Sequence, residues 1–246
     1  MQTINTRRTI RKYKKEDVSG QLLHELLTAA ARTQTMGNLQ LYSVVVTRDA
    51  EMKARLAPAH FNQPMVTGAP VVLTICADFR RVTDWCANRQ ADAGYDNFLS
   101  FINAASDALL YTQTFCNLAE ERGLGCCYLG TTVYMPQAII DILELPRLVM
   151  PVATITLGWP DEEPPLTDRL VTEAFVHEET YKPYTPERID AFYREKEALP
   201  ENQEFVRING KATLAQVFTD CRYTRSDNEA MSEGLLSALR RQGFLS

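Results

Sequence analysis

Three guanidinium groups and a hydroxyl stand within five residues near the start of the chain, at Arg7, Arg8, Thr9 and Arg11, with Ile10 among them. Such a set can meet a phosphate through bidentate, charge-assisted hydrogen bonds. In an extended segment Arg7, Thr9 and Arg11 share one face and Arg8 takes the other. Ile10 points to a segment anchored on a core; a basic arm free in solvent, the alternative for the same residues, needs no such side chain. A second polar set runs from Thr33 to Gln40 and includes Thr35, Asn38 and Gln40. Its hydroxyls and amides can serve a heteroaromatic ring or a polyol, or simply satisfy the end of the preceding helix. A third, Gly123–Thr131, has the spacing G-x-G-x-x-x-x-G and leads from a helix into a strand. That is the reverse of the order that sets a pyrophosphate on a helix N-terminus, so it is no dinucleotide fingerprint. Its end, Tyr128-Leu129-Gly130-Thr131, can lie flat beside a ring, with Gly130 permitting close backbone approach. Arg169 closes a proline-rich turn as a further cation, in a position equally suited to a surface arginine.

Covalent and metal chemistry find no support. There is no G-x-S-x-G or H-E-x-x-H, and neither the six cysteines nor the three histidines show zinc spacing. His24 and His60 have no evident partner, and Glu120-Glu121 read as the solvated end of a helix. Cys126 and Cys127, in an apolar stretch, read as small buried hydrophobes, and free thiols are expected throughout. Anion-binding groups without acid–base machinery suggest that a cofactor carries the reaction, with no catalytic side chain of the protein's own.

These residues must be held by regular elements. Apolar positions Leu22, Leu23, Leu26, Leu27 and Ala30 follow helical spacing after a cap at Asp17 or Ser19. Tyr42–Thr47 reads as a strand, Asp49–Leu56 as a short helix and Val71–Ala77 as a buried strand. From Asn97 to Arg122, Phe98, Phe101, Ile102, Ala105, Ala108, Leu109, Thr112, Phe115, Cys116 and Ala119 recur at helical spacing, and Gly123 stops the run. This is the expected central helix. A strand at Cys126–Leu129, a helix opened by Pro136, a strand at Val152–Leu157 and helices at Pro186–Ala198 and Asp227–Gln242 follow. Helices outnumber strands without regular alternation, which predicts an α+β fold.

The 246 residues are 45% hydrophobic and 23% charged, an ordinary globular balance. The net charge of −5 argues against a nucleic-acid partner. The first fifteen residues carry six bases and no acid; the remainder, with 31 acids against 20 bases, stands at −11. A local basic site on an acidic protein suits a small anion. No apolar run approaches the roughly 18 residues of a membrane span, and the N-terminus lacks a secretory apolar core, so a cytoplasmic protein with no membrane partner is expected.

The order Arg7-Arg8-Thr9-Ile10-Arg11, Thr35-Met36-Gly37-Asn38-Leu39-Gln40, a long helix, Gly123-Leu124-Gly125, Tyr128-Leu129-Gly130 and Leu157-Gly158-Trp159-Pro160 resembles the FMN-dependent nitroreductase family. The likeness is strongest to its NADPH-dependent, flavin-reductase-like, oxygen-insensitive branch, over residues 4–185 and more loosely beyond. It implies a single α+β domain with a central mixed β-sheet flanked by helices. A core of about 1–160 would carry an extension of about 161–246 that packs on the core and on the partner of an intertwined homodimer. It also implies FMN at the dimer interface. Arg7, Arg8, Thr9, Arg11 and Arg169 would hold the phosphate, with Thr167 where the branch often has lysine. Thr35, Asn38, Gln40 and Gln63 would contact the ring and ribityl chain, and Tyr128, Leu129, Gly130 and Thr131 would line the ring. The implied activity is two-electron, ping-pong reduction of a small-molecule acceptor (nitroaromatic, quinone or free flavin) at the expense of NADPH or NADH. Arg207, Lys211, Arg222 and Arg225 are equal candidates for the nucleotide. A non-catalytic FMN binder, or a dehalogenating or flavin-modifying relative, is the alternative.

Overall fold

The computed structural model describes residues 2–245, with side chains from Ile4 onward. Along the chain come α1 (Gln2–Asn5), α2 (Gly20–Ala30), β1 (Tyr42–Thr47), α3 (Ala50–Leu56), α4 (Pro64–Gly68), β2 (Val71–Asp78), α5 (Arg80–Ala87) and α6 (Phe98–Glu121). Then follow β3 (Gly125–Leu129), α7 (Pro136–Ile142), β4 (Val149–Gly158), α8 (Pro186–Ala198), α9 (Pro200–Ile208), α10 (Leu214–Val217) and α11 (Arg225–Arg241). Two compact units result. One runs to Pro165 and resumes at Met231; the other is Leu166–Ala230.

The first unit is built on a sheet of order β1-β2-β4-β3. Strands β2 and β4 are buried along their whole length, which is why they read as continuous apolar runs. Every pairing between the strands is antiparallel, correcting the expectation of a mixed sheet. The reason is the path of the chain. Helix α6 carries it back past β2, so β3 sets out in the same sense as β2; β4 then returns between them and pairs antiparallel with both. Pro151 sits inside β4, where Ile75 pairs with Ala153 and Cys76 with Pro151. The register slips at that point, and β3 does not extend that far, so the missing N–H disturbs little.

Helix α6 starts on an Asn97 cap whose side chain accepts the Ser100 N–H, and gives way to Gly123 at φ +80°. Ala104, Ala108, Tyr111, Phe115 and Ala119 face the sheet, the alanines allowing close approach. The apolar period also counted Phe98, Ile102 and Leu109 with the core, yet these stand exposed with Leu99 and Leu110, at 43–68% of full accessibility. The helix is therefore apolar on two sides. A smaller cluster, Leu56, Ala57, Ala59, Met65, Val66, Cys127, Leu129 and Ile139, packs separately among α3, α4, β3 and α7.

The C-terminus closes the first unit. Gln242 Nε2 donates to the Pro146 carbonyl at 2.8 Å and the Val149 carbonyl at 2.5 Å, its own carbonyl accepts the Leu148 N–H, and Phe244 is fully buried. The second unit is helical: Thr185 caps α8, and Thr213 with Gln216 forms a reciprocal capping box on α10.

Gly125 admits the N-terminal segment, because a Cβ there would lie 2.6 Å from the Ile10 Cβ. Gly125→Ala is expected to destabilise the fold by about 1–3 kcal/mol through overpacking, read as a lower urea midpoint.

Candidate functional site

The basic segment is laid along the edge strand β3. Ile10 is buried against Gly125, and its N–H donates to the Cys126 carbonyl at 3.1 Å. The Tyr13 hydroxyl reaches the Ile10 carbonyl (2.7 Å) and Thr156 Oγ1 (2.6 Å), and Lys14 N–H donates to the Trp159 carbonyl. Anchoring by Ile10 is thus as the sequence predicts. The cations, however, meet acids. Arg7 Nε lies 3.3 Å from Glu120 Oε1, and Arg8 Nη2 is 3.9 Å from Glu163. Glu120 is largely buried, not the solvated helix end its position suggested; burial raises its pKa and Arg7 partly offsets this. Glu162 accepts the backbone N–H groups of Arg11 (2.5 Å) and Lys12 (3.0 Å), which hold its carboxyl below the usual range. Arg8 Nε is buried without an acceptor. Among the described residues the Arg11 guanidinium has no carboxylate within ion-pair distance, and Thr9 has no hydrogen-bond partner. Arg7, Arg8, Glu120 and Glu163 share a cavity of about 360 Å³.

The end of β3 meets a second group. Tyr128 is exposed while Leu129 turns into the small core, so only the Leu129 backbone faces outward. At Gly130 a Cβ would meet open space. Thr131 is buried and shares a 2.8 Å hydrogen bond with Nδ1 of His60. His60 therefore has a partner 71 residues away, which its local sequence could not reveal. Its carbonyl also accepts the Gln63 N–H at 3.1 Å, and its Nε2 is buried without a partner. Burial pushes the imidazole pKa down to about 4.

The polar loop is elsewhere. Asp107, fully inside α6, accepts the Thr35 hydroxyl at 2.6 Å and the N–H groups of Met36 (3.0 Å) and Leu41 (3.1 Å). Thr35 Oγ1 in turn accepts the Gln40 N–H, and Gln40 Nε2 donates to Asn38 Oδ1 at 2.7 Å. Asn38 and Gln40 both adopt positive φ, at 56° and 48°, and Arg81 donates to the Gln40 carbonyl. The sequence analysis missed Asp107, although a signal existed: it is the one charged residue of α6 before Glu120. Thirteen positions separate Asp107 from Glu120, about 20 Å along the helix at 1.5 Å per residue. The candidate residues of the first unit thus form two groups. Arg7, Arg8, Thr9, Arg11, Gln63 and Tyr128–Thr131 gather around β3; Thr35, Asn38 and Gln40 stand at Asp107.

Residues 4–159 match the model of the nitroreductase family. The chain belongs to that family. The chain is 29% identical to the oxygen-insensitive NADPH nitroreductase of Salmonella typhimurium over 213 residues, 87% of this chain and 85% of the relative. It is 30% identical to an FMN reductase [NAD(P)H] of Bacillus subtilis, over 74% of each chain. A crystal structure from Bacteroides fragilis superposes with a TM-score of 0.99 at 60% identity, covering 100% of both chains. The family makes the protein an oxidoreductase.

The other candidate cations lie in the second unit. Arg169 Nη1 donates to Thr167 Oγ1 and the Asp168 carbonyl, both at 2.7 Å, so Thr167 orients the arginine two residues after it. Arg207 pairs with Glu204, Lys211 with Asp220 and Arg225 with Glu229. Arg222 instead lies over the Phe205 ring, 4.8 Å from its centroid. The cysteines are all free thiols, and Cys126 and Cys127 are buried as expected. No helix among the described residues is long and apolar enough to cross a membrane.

Unfolding frees His60 to take a proton near its ordinary pKa of 6.5, whereas the folded side chain stays neutral down to about pH 4. Between those values the unfolded chain binds more protons, so stability falls as pH falls. His60 alone is expected to remove about 3 kcal/mol across this window, and urea titrations of His60→Asn from pH 7 to pH 4 should show a correspondingly shallower loss than wild type.

Proposed function

We propose that the protein is an FMN-dependent NAD(P)H oxidoreductase acting as a homodimer. It would reduce a small-molecule acceptor such as a nitroaromatic, a quinone or free flavin, with donor and acceptor occupying the same site in turn. The observation that carries the reading is the division of the site. Residues matching the family's flavin contacts form two pre-ordered groups that share no hydrogen bond among the described residues, one joined through Arg7 to Glu120 and the other held by Asp107, acids about 20 Å apart along α6. A second copy supplying the Thr35–Gln40 loop resolves the separation. The second apolar side of α6, from Phe98 to Leu110, offers the surface for such pairing. The extension from about 161 onward would contribute to the same contact.

The residues left over fit the cofactor. Among the described residues the Arg11 guanidinium and the Arg8 Nε have no acceptor, as a phosphate site requires, while Glu120 and Glu163 orient Arg7 and Arg8. Open space at Gly130 suits a flat ring beside the exposed Tyr128, and the amides of Asn38, Gln40 and Gln63 suit its polar edge. FMN, when bound, supplies the two-electron chemistry. The protein binds, orients and shields; no side chain is assigned an obligatory acid or base role. Of the nucleotide candidates, Arg222 is the one whose charge is not already met by a carboxylate among the described residues, which favours it for the phosphate of NADPH.

The visible spectrum of the purified protein tests the reading. Oxidised-flavin bands that bleach on anaerobic NADPH addition are expected; a protein that remains colourless after incubation with FMN overturns it. Within it, Arg11→Ala should lose about 1.5–3 kcal/mol of FMN binding, a tenfold to hundredfold rise in Kd by fluorescence titration. Unchanged affinity would remove Arg11 from the phosphate site.

A further inference from the structure

His60 touches two of the proposed ring-contacting segments at once, and no cofactor contact has been assigned to it. Its side chain binds Thr131 at the end of β3, and its carbonyl binds the backbone of Gln63. The two segments are far apart in sequence, and this histidine joins them by hydrogen bonds from inside the protein, at 0% exposure. The joint is also costly. A buried ring nitrogen without a partner is uncommon and calls for a reason beyond packing. The neighbours of His60 at 57 and 59 are alanines of the small core, and Phe61 and Asn62 beyond it both take φ of 54°, a conformation that persists only where the surroundings fix it.

The protonation state follows from burial. The imidazole is neutral near pH 7, so one ring nitrogen carries the proton. An orphaned acceptor is tolerated more readily than an orphaned N–H. That places the proton on Nδ1, donating to Thr131 Oγ1, and leaves Nε2 as an acceptor with no donor among the described residues. Thr131 Oγ1 is then the acceptor, and its own proton is uncommitted.

We propose that His60, in its Nδ1–H tautomer, is a positioning residue that locks the Gly130–Thr131 turn to Gln63 and so sets the shape of the ring-binding surface. The proposal rests on the flavin reading above. Loss of the lock leaves the fold but lets the two contacting segments move independently, so that binding and redox tuning of the ring both loosen.

Two measurements test it. In cofactor-free protein, nitrogen chemical shifts of the His60 ring report the tautomer directly. A protonated Nδ1 and bare Nε2 support the lock, and the opposite tautomer overturns it. In FMN-loaded protein, Thr131→Val and His60→Leu should each weaken FMN binding about tenfold and shift the midpoint potential of the bound flavin. The double variant should be little worse than either single one, since both remove the same bond. His60→Asn, whose amide nitrogen falls near the position of Nδ1, should recover part of both losses. Folded Thr131→Val protein with wild-type affinity and potential, or additive losses in the double variant, overturns the proposal. Wild-type protein that binds no FMN overturns the flavin reading itself, while the tautomer measurement still separates that failure from failure of the hydrogen bond.

Discussion

Three hydrogen-bond donors from one short loop converge on the carboxyl group of Asp107, and that acceptor is buried in the middle of the longest helix. Leaving such a group unsatisfied costs several kcal/mol, so the loop has little choice of conformation. Thr35, Met36 and Leu41 are fixed directly, and Gln40 follows through the Thr35 hydroxyl. Asn38 and Gln40 are thereby held at positive φ, where free chains of these residues spend little time. The order of causation is clear. Burial of α6 against the sheet places Asp107, Asp107 shapes the loop, and the loop presents its amides.

At the other end of α6 a different device operates. Close approach of Ile10 to Gly125 brings the basic segment onto β3, and acids then meet the bases: Glu120 on the helix, Glu162 and Glu163 beyond β4. These carboxylates steer Arg7 and the 10–12 backbone without neutralising Arg11. An anion site of the kind proposed would be selective in position, since only the guanidinium edges left free of carboxylates could receive a ligand. The same helix thus organises both groups of candidate residues by charge, with Asp107 for the amide loop and Glu120 for Arg7.

Much of this architecture could be read from the residues. The buried strands β2 and β4, a cap at one of Asp17 and Ser19, and the stop at Gly123 follow from local chemistry and periodicity. What escaped depends on distant partners. Helix α5 begins with two arginines, against the preference for acids at a helix start, and its short apolar stripe of Val82, Trp85 and Cys86 is a weak signal over eight residues. His60 finds Thr131 across the fold, and Glu120 finds Arg7. The sense of strand pairing depends on where β4 re-enters, which no local pattern encodes. On α6 the periodicity detects two apolar faces and cannot tell which one meets the sheet.

The second unit enters after Pro165 and leaves within α11, whose last turns and the following Gln242 and Phe244 are built into the first unit. It is therefore a closed excursion of the backbone and not a tail. Cutting one peptide bond anywhere within it would leave two fragments still gripped by the same core, the shorter one through Gln242. Removing the last few residues would do more harm, because it would open the β4 end of the sheet and untie the excursion at one stroke. Gln242 and Phe244 have the status of a keystone, holding shut both the β4 end of the sheet and the excursion.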